Sequence, residues 1–130
     1  MLKQSIVLAI AVAGAAMASA PAFAADLNSC YEPIPPVAVD GNTATEDQMK
    51  HALKDVKDFI AASDDYQVCL NSQLIQMKQD NAKSKDKPPL DPAIQARVQS
   101  KIDANQKMKE RVGNEYNAAA QAFNVKHPKT

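Results

Sequence analysis

Serine nucleophiles act through a hydroxyl, an imidazole and a carboxylate held within hydrogen-bond reach of one another. This 130-residue chain has two histidines, His51 and His127, and the residue types for such a set in Ser63, His51 and Asp55. His51 and Ser63 are 12 residues apart in one helical segment, ~18 Å along the axis, so they cannot meet. No Gly-x-Ser-x-Gly, phosphate loop or dinucleotide fingerprint occurs. The sequence therefore predicts a protein that is not an enzyme, with no catalytic residue and no cofactor.

Metal chemistry has one candidate. Asp47, His51 and Asp55 fall at i, i+4 and i+8 on one helix face. Neighbouring pairs could share Zn²⁺ or Cu²⁺, but the outer two are ~12 Å apart. A solvated face beside Lys50 and Lys54 is the plainer expectation, so no metal is predicted. Met49, Met77 and Met108 are widely spaced at core positions, where methionine fills gaps. A third cluster is Ser63, Gln67 and Asn105, which should face one another as a polar layer and fix the register of a helix pair.

Cys30 and Cys69 are the two cysteines. An even count in an exported chain points to a disulfide, with an intermolecular bridge or two free thiols as the other arrangements. Their separation of 39 residues excludes a Cys-x-x-Cys redox or metal motif. Closing such a loop contributes roughly 4 kcal/mol by loss of chain entropy.

The elements that place these residues follow from the apolar period. Thr45-Glu46-Asp47-Gln48 reads as a capping box, with Thr43-Ala44-Thr45-Glu46 as an overlapping option. Met49, Ala52, Leu53, Val56, Phe59, Ile60, Leu70, Leu74 and Met77 then form one helical stripe. A helix is expected over about 45–83. A polar, proline-bearing linker follows, then Asp91-Pro92 as an N-cap with Pro at the first helical position. Ile94, Val98, Ile102, Met108, Val112, Tyr116, Ala119 and Phe123 form a second stripe over about 92–124, leaving 125–130 as a tail. Gly113 sits inside it at a cost near ~1 kcal/mol.

The fold class is therefore all-α, an antiparallel two-helix hairpin over 45–124. Met77 and Leu74 should lie near Ile94 and Val98, Ile60 near Val112, and Val56 near Tyr116 and Ala119. Residues 25–44 should form an extended Pro-rich arm. Cys69 lies 24 residues past Thr45, and Cys30 lies 15 before it. The arm, with Pro33, Pro35 and Pro36, reaches ~46 Å as polyproline II, against a helical rise of ~36 Å. It can run back along the first helix and be stapled there. Its apolar contacts should be Tyr31, Ile34 and Val37, packed on the flank of Ala62, Tyr66, Cys69 and Gln73.

The N-terminus reads as an address. Lys3 precedes an uncharged apolar stretch over Ser5–Ala18, and Ala22-Phe23-Ala24 fits a cleavage site. This is expected to be a signal peptide over 1–24, cut after Ala24. The apolar run is shorter than the ~20 residues of a membrane span. Leu27-Asn28-Ser29-Cys30 looks like a lipid-attachment box, but Asp26 and Asn28 argue against a lipoprotein. The expected location is the periplasm, without a stable membrane anchor.

The arrangement resembles a loose set of small secreted proteobacterial helical proteins of unassigned function. The likeness rests on Cys30-Tyr31-Glu32-Pro33, Pro35-Pro36, Asp40-Gly41 and Tyr66-Gln67-Val68-Cys69. These motifs are structural and imply no activity. Periplasmic stress chaperones with a helical cradle carry a Leu-Thr-x-x-Gln motif that is absent here.

With 15 basic and 15 acidic side chains, the chain lacks the basic field of a nucleic-acid binder. Pairs such as Lys54–Asp58, and Lys107 and Arg111 beside Glu110, are expected as surface decoration. Lys126, His127 and Lys129 would add only ~2 kcal/mol toward an anionic membrane. The functional expectation is a non-enzymatic envelope protein acting by protein interaction, in the manner of a chaperone or a homodimer. The partner would be another envelope protein or a second copy forming a four-helix bundle. A small-ligand or metal-binding periplasmic protein is the alternative.

Overall fold

Two helices carry the apolar stripes. Helix α1 spans Glu46–Lys83 and helix α2 spans Pro92–Lys126. They belong to a computed structural model that describes Leu27, residues 29–86 and residues 88–129. The expected signal peptide and its cleavage site lie outside the described residues. No strand occurs among those that are described.

Both helix starts obey their local signals. The Gln48 backbone N–H donates to Thr45 Oγ1 at 3.2 Å, and the Thr45 N–H donates to Gln48 Oε1 at 2.8 Å. The capping box thus forms at Thr45, with Glu46 and Asp47 facing the positive end of the helix dipole. Asp91 accepts from the Ala93 N–H at 2.9 Å, and Pro92 occupies the first turn, where its missing N–H costs nothing. In the linker, Asn81 Nδ2 donates to the Pro88 carbonyl at 2.8 Å. Helix α2 runs two residues past the expected end. The His127 N–H caps the Phe123 carbonyl at 2.9 Å and its ring stacks on Phe123. Pro128 then pushes His127 out of helical conformation.

The helices pack antiparallel along one seam with three apolar clusters. Near the linker, Leu70, Met77 and Val98 pack with Leu74, Leu90, Ile94 and Ile102. In the middle, Val56, Phe59 and Val112 pack with Ile60, Met108 and Tyr116. At the open end, Ala44, Met49 and Ala119 pack with Tyr116, Ala120 and Phe123. The expected neighbours are therefore found, except that Ala119 clusters about two helical turns further along α1, on Met49. Leu53 lies at the stripe's edge and is exposed. Each fully buried residue of the Leu70 and Val98 type contributes ~1.5–3 kcal/mol, and a single seam offers few of them.

Residues 30–39 form a strap lying across the hairpin. The Cys30–Cys69 disulfide closes one end, with a Cα–Cα distance of 5.7 Å. At the other, Val39 borders the same small void as Ala52 and Val56 of α1 and Val112 and Tyr116 of α2. Nine strap residues thus match 17 residues of α1, ~2.8 Å per residue and close to the polyproline II rise.

The strap corrects one expectation. Tyr31, Ile34 and Val37 do not pack on α1; they are 86%, 89% and 94% exposed. The inward face is Cys30, Pro33, Pro36 and Val39, which are buried or half-buried. A threefold helix puts every third residue on one side. Because Cys30 must face Cys69 to bond it, residues 33, 36 and 39 follow it inward. The 31/34/37 series is left in water. Ala62, assigned to the receiving flank, is also exposed.

Beyond the strap the chain turns at Asp40. Its carbonyl accepts from the Ala44 N–H at 2.9 Å, and its carboxylate accepts from the Asn42 N–H at 2.9 Å and from Asn42 Nδ2 at 3.1 Å. Gly41 is buried against the α2 backbone, where an added Cβ would lie 1.8 Å from the Ala119 carbonyl oxygen. No side-chain rearrangement relieves a clash with backbone. Gly113 is the opposite case: a Cβ there meets nothing within 4 Å. Thermal melts should separate the two glycines. Gly41→Ala is expected to cost about 1–3 kcal/mol. Gly113→Ala should gain about 0.5–1 kcal/mol, each kcal/mol moving Tm by roughly 4–8 °C.

Candidate functional site

Helical spacing delivers Ser63, Gln67 and Asn105 to one level of the seam, between the Leu70 and Phe59 clusters. Asn105 Nδ2 donates to Ser63 Oγ at 3.2 Å, and Gln67 Nε2 donates to Asn105 Oδ1 at 2.9 Å. Ser63 is fully buried and Asn105 is 1% exposed. Gln106 extends the chain of bonds, accepting from Gln67 at 3.4 Å. On the same side of the hairpin, the Lys109 ammonium pairs with Asp64 across the seam. Among the described residues no buried side-chain polar atom lacks a partner. These bonds join α1 to α2 at one level, which suits a register device.

The structure does not gather Asp47, His51 and Asp55. His51 Nδ1 lies 2.8 Å from the Asp47 backbone carbonyl, not its carboxylate. Among the described residues no group of three or more His, Cys, Asp or Glu side chains is placed to hold a metal ion. Asp55 and His51 share a shallow cleft of about 380 Å³ with Asp40 and Gln48. Hydrogen bonds from Asn42, backbone first, hold the Asp40 carboxyl below the usual carboxylate range. A larger open cleft of about 790 Å³ lies at the open end, between the start of α1 and Phe123, Lys126, His127 and Lys129. Three of its polar groups are engaged locally. Thr45 is in its capping box, and His127 Nδ1 lies 3.1 Å from the Phe123 carbonyl. Glu46 is on Lys50 at 2.8 Å, and the hydrogen bond from Lys50 lowers its carboxyl's pKa.

The disulfide and strap make the remaining feature. Leu27 and Cys30 pack with Tyr66 and Leu70, so the strap covers Tyr66, which is 3% exposed. Burial, and secondarily the strap's Glu32 carboxylate, raise the Tyr66 phenol above its ordinary pKa. On the strap's outer side, Tyr31, Ile34 and Val37 form an apolar ridge that spacing alone had assigned to the interior.

No protein-family model, curated protein or solved structure matches this chain. No helix of the described residues is long and apolar enough to cross a membrane.

Two measurements test this geometry. Asn105→Ala strands the Ser63 hydroxyl and the Gln67 amide, and urea denaturation should show a loss of about 1–3 kcal/mol. Replacing all three with apolar residues should recover most of that loss. Tyr66 is neutral in the fold and more acidic when unfolded. Its contribution to stability is therefore complete below the unfolded phenol's pKa and is lost as pH rises from there through the raised value. Absorbance titration should show a tyrosine ionising above the ordinary phenol range, a component that Tyr66→Phe should remove.

Proposed function

We propose that this chain is an exported, non-catalytic protein of the periplasm that works by protein contact through the ridge on its strap. The observation that carries the reading is the exposure of Tyr31, Ile34 and Val37 in one line. Single exposed apolar side chains are ordinary; a line of them on a segment fixed at both ends marks an interaction surface. The disulfide supports export, because such bonds persist in oxidising compartments. The apolar stretch at 5–18 and the small-residue site at 22–24 support a cleaved leader.

Non-catalytic status is supported by where the polar groups go. Catalysis uses convergent groups with spare hydrogen-bonding capacity. Among the described residues the buried polar side chains, Ser63 and Asn105, bond each other.

A photo-crosslinking residue placed at Ile34, compared with one at Asp58 on the solvated face, tests the proposal in intact cells. Ile34 is expected to give discrete adducts, either with a second copy or with another envelope protein. Asp58 should give none. Equal, diffuse labelling from both positions, or none from Ile34, removes the reading. The same samples report the mature mass, expected to start at Ala25.

A further inference from the structure

Strap residues 31–39 make no hydrogen bond to either helix, and Pro33, Pro35 and Pro36 have no N–H to donate. Between its two ends the strap is held by the half-buried faces of Pro33, Pro35, Pro36 and Val39 alone. A void of about 10 Å³, at most one water in size, lies beneath Pro36–Val39, against Val56 and Val112. The far end is pinned independently by the Asp40 turn and by Gly41 on α2. The bridge is therefore the one covalent tie that holds residues 31–39 on the hairpin, beside the packing of Val39 on Ala44, Met49 and Ala119.

The hairpin does not depend on that bond in the same way. The Val56–Phe59–Val112 cluster contains no strap residue. The Ser63–Asn105–Gln67 layer, the Asp64–Lys109 pair and both N-caps are made between or within the helices. Beneath the strap lies an apolar groove, with Ala52, Val56, Val112 and Tyr116 toward the open end and Tyr66 and Leu70 toward the linker.

We propose that the Cys30–Cys69 bridge is a redox latch. Reduction by a dithiol frees the strap and uncovers the groove between α1 and α2, while the hairpin persists. This rests on the strap's anchoring and not on the identity of any partner of the ridge. Cys69 is half-buried and Cys30 is buried, so Cys69 is the more exposed residue of the bridge and the one a reductant would reach first. One thiolate of the dithiol attacks Cys69 Sγ, and Cys30 leaves as a thiolate that takes a proton. The reductant's second thiol, as thiolate, then attacks its own sulfur in the mixed disulfide and releases Cys69. Two electrons pass to the protein, which ends with two thiols, and the reductant ends as a cyclic disulfide. Freed, the strap moves about Asp40 and carries the ridge off the hairpin.

The test compares the full chain, oxidised and after dithiothreitol, by circular dichroism, amide and aromatic NMR, and an apolar fluorescent dye. The expected result is a helical signal unchanged to within about a tenth, as in local rather than global opening. Val39 and Leu27 should move to random-coil shifts and Tyr66 to a solvent-exposed one. Dye fluorescence should rise several-fold, and all changes should reverse on reoxidation. Cys30→Ser/Cys69→Ser should reproduce the reduced spectra without reductant. Loss of the helical signal on reduction would make the bridge a staple of the whole fold and overturn the latch. So would unchanged Val39 and Tyr66 shifts, which would mean that the strap stays docked without it.

Discussion

A covalent bond sets the phase of everything on the N-terminal side of this molecule. Cys30 has to face Cys69, and a proline-rich segment in threefold conformation then has no freedom left to choose which residues face the helices. Pro33, Pro36 and Val39 are turned inward, and three larger apolar side chains are turned out. Hydrophobic sorting would choose otherwise, since Tyr31, Ile34 and Val37 together carry more apolar surface than the inward set. With Cys30 bonded to Cys69 the phase is fixed, so Tyr31, Ile34 and Val37 stay outside even though burying them would be favourable. At its other end the strap meets a second geometric constraint, the contact of Gly41 with the Ala119 carbonyl, which admits no Cβ.

The hairpin beneath is governed by economy. A single seam between two helices has room for only a few buried apolar residues per turn, and the level of Ser63, Gln67 and Asn105 contributes none. Apolar residues there would slide as readily in one register as in another. The hydrogen bonds of Asn105 to Ser63 and Gln67 are satisfied only when α1 and α2 are aligned as observed. Stability given up at this level is exchanged for a single alignment, as polar positions do in coiled coils. The alignment in turn carries Cys69 and Ala119 to the heights at which the strap's two ends can engage.

Much of this was legible in the residues. Both N-caps, both helices, the antiparallel pairing, the polar layer and the cysteine pairing follow from helical period, capping chemistry and cysteine count. The strap's facing was also encoded, since Cys30, Pro33, Pro36 and Val39 are three apart, but reading it requires ranking the bond above hydrophobicity. Other features were not available to spacing. The Lys109–Asp64 pair and the Gln67–Gln106 bond depend on how far each helix is rotated about its axis. The role of Gly41 depends on a close approach between segments far apart in sequence, and a glycine after an aspartate signals only a turn.

What the molecule can do is bounded by how it disposes of its polar groups. Ser63, Asn105 and Gln67 satisfy one another, Asp40 satisfies Asn42 and its own turn, and His51 and His127 are each placed against a backbone carbonyl one helical turn away. Charged side chains on the outside pair locally, as Lys54 does with Asp58 and Lys50 with Glu46. Internal satisfaction of that kind holds a shape. Apolar surface is the resource left unspent, and it is found where the chain had no geometric means of hiding it. A fold that fixes such a surface by one bond, rather than by a distributed network, ties its presentation to the chemistry of that bond. The thiol–disulfide state of Cys30 and Cys69 thereby becomes the variable to which the exposed face of this protein is most directly coupled.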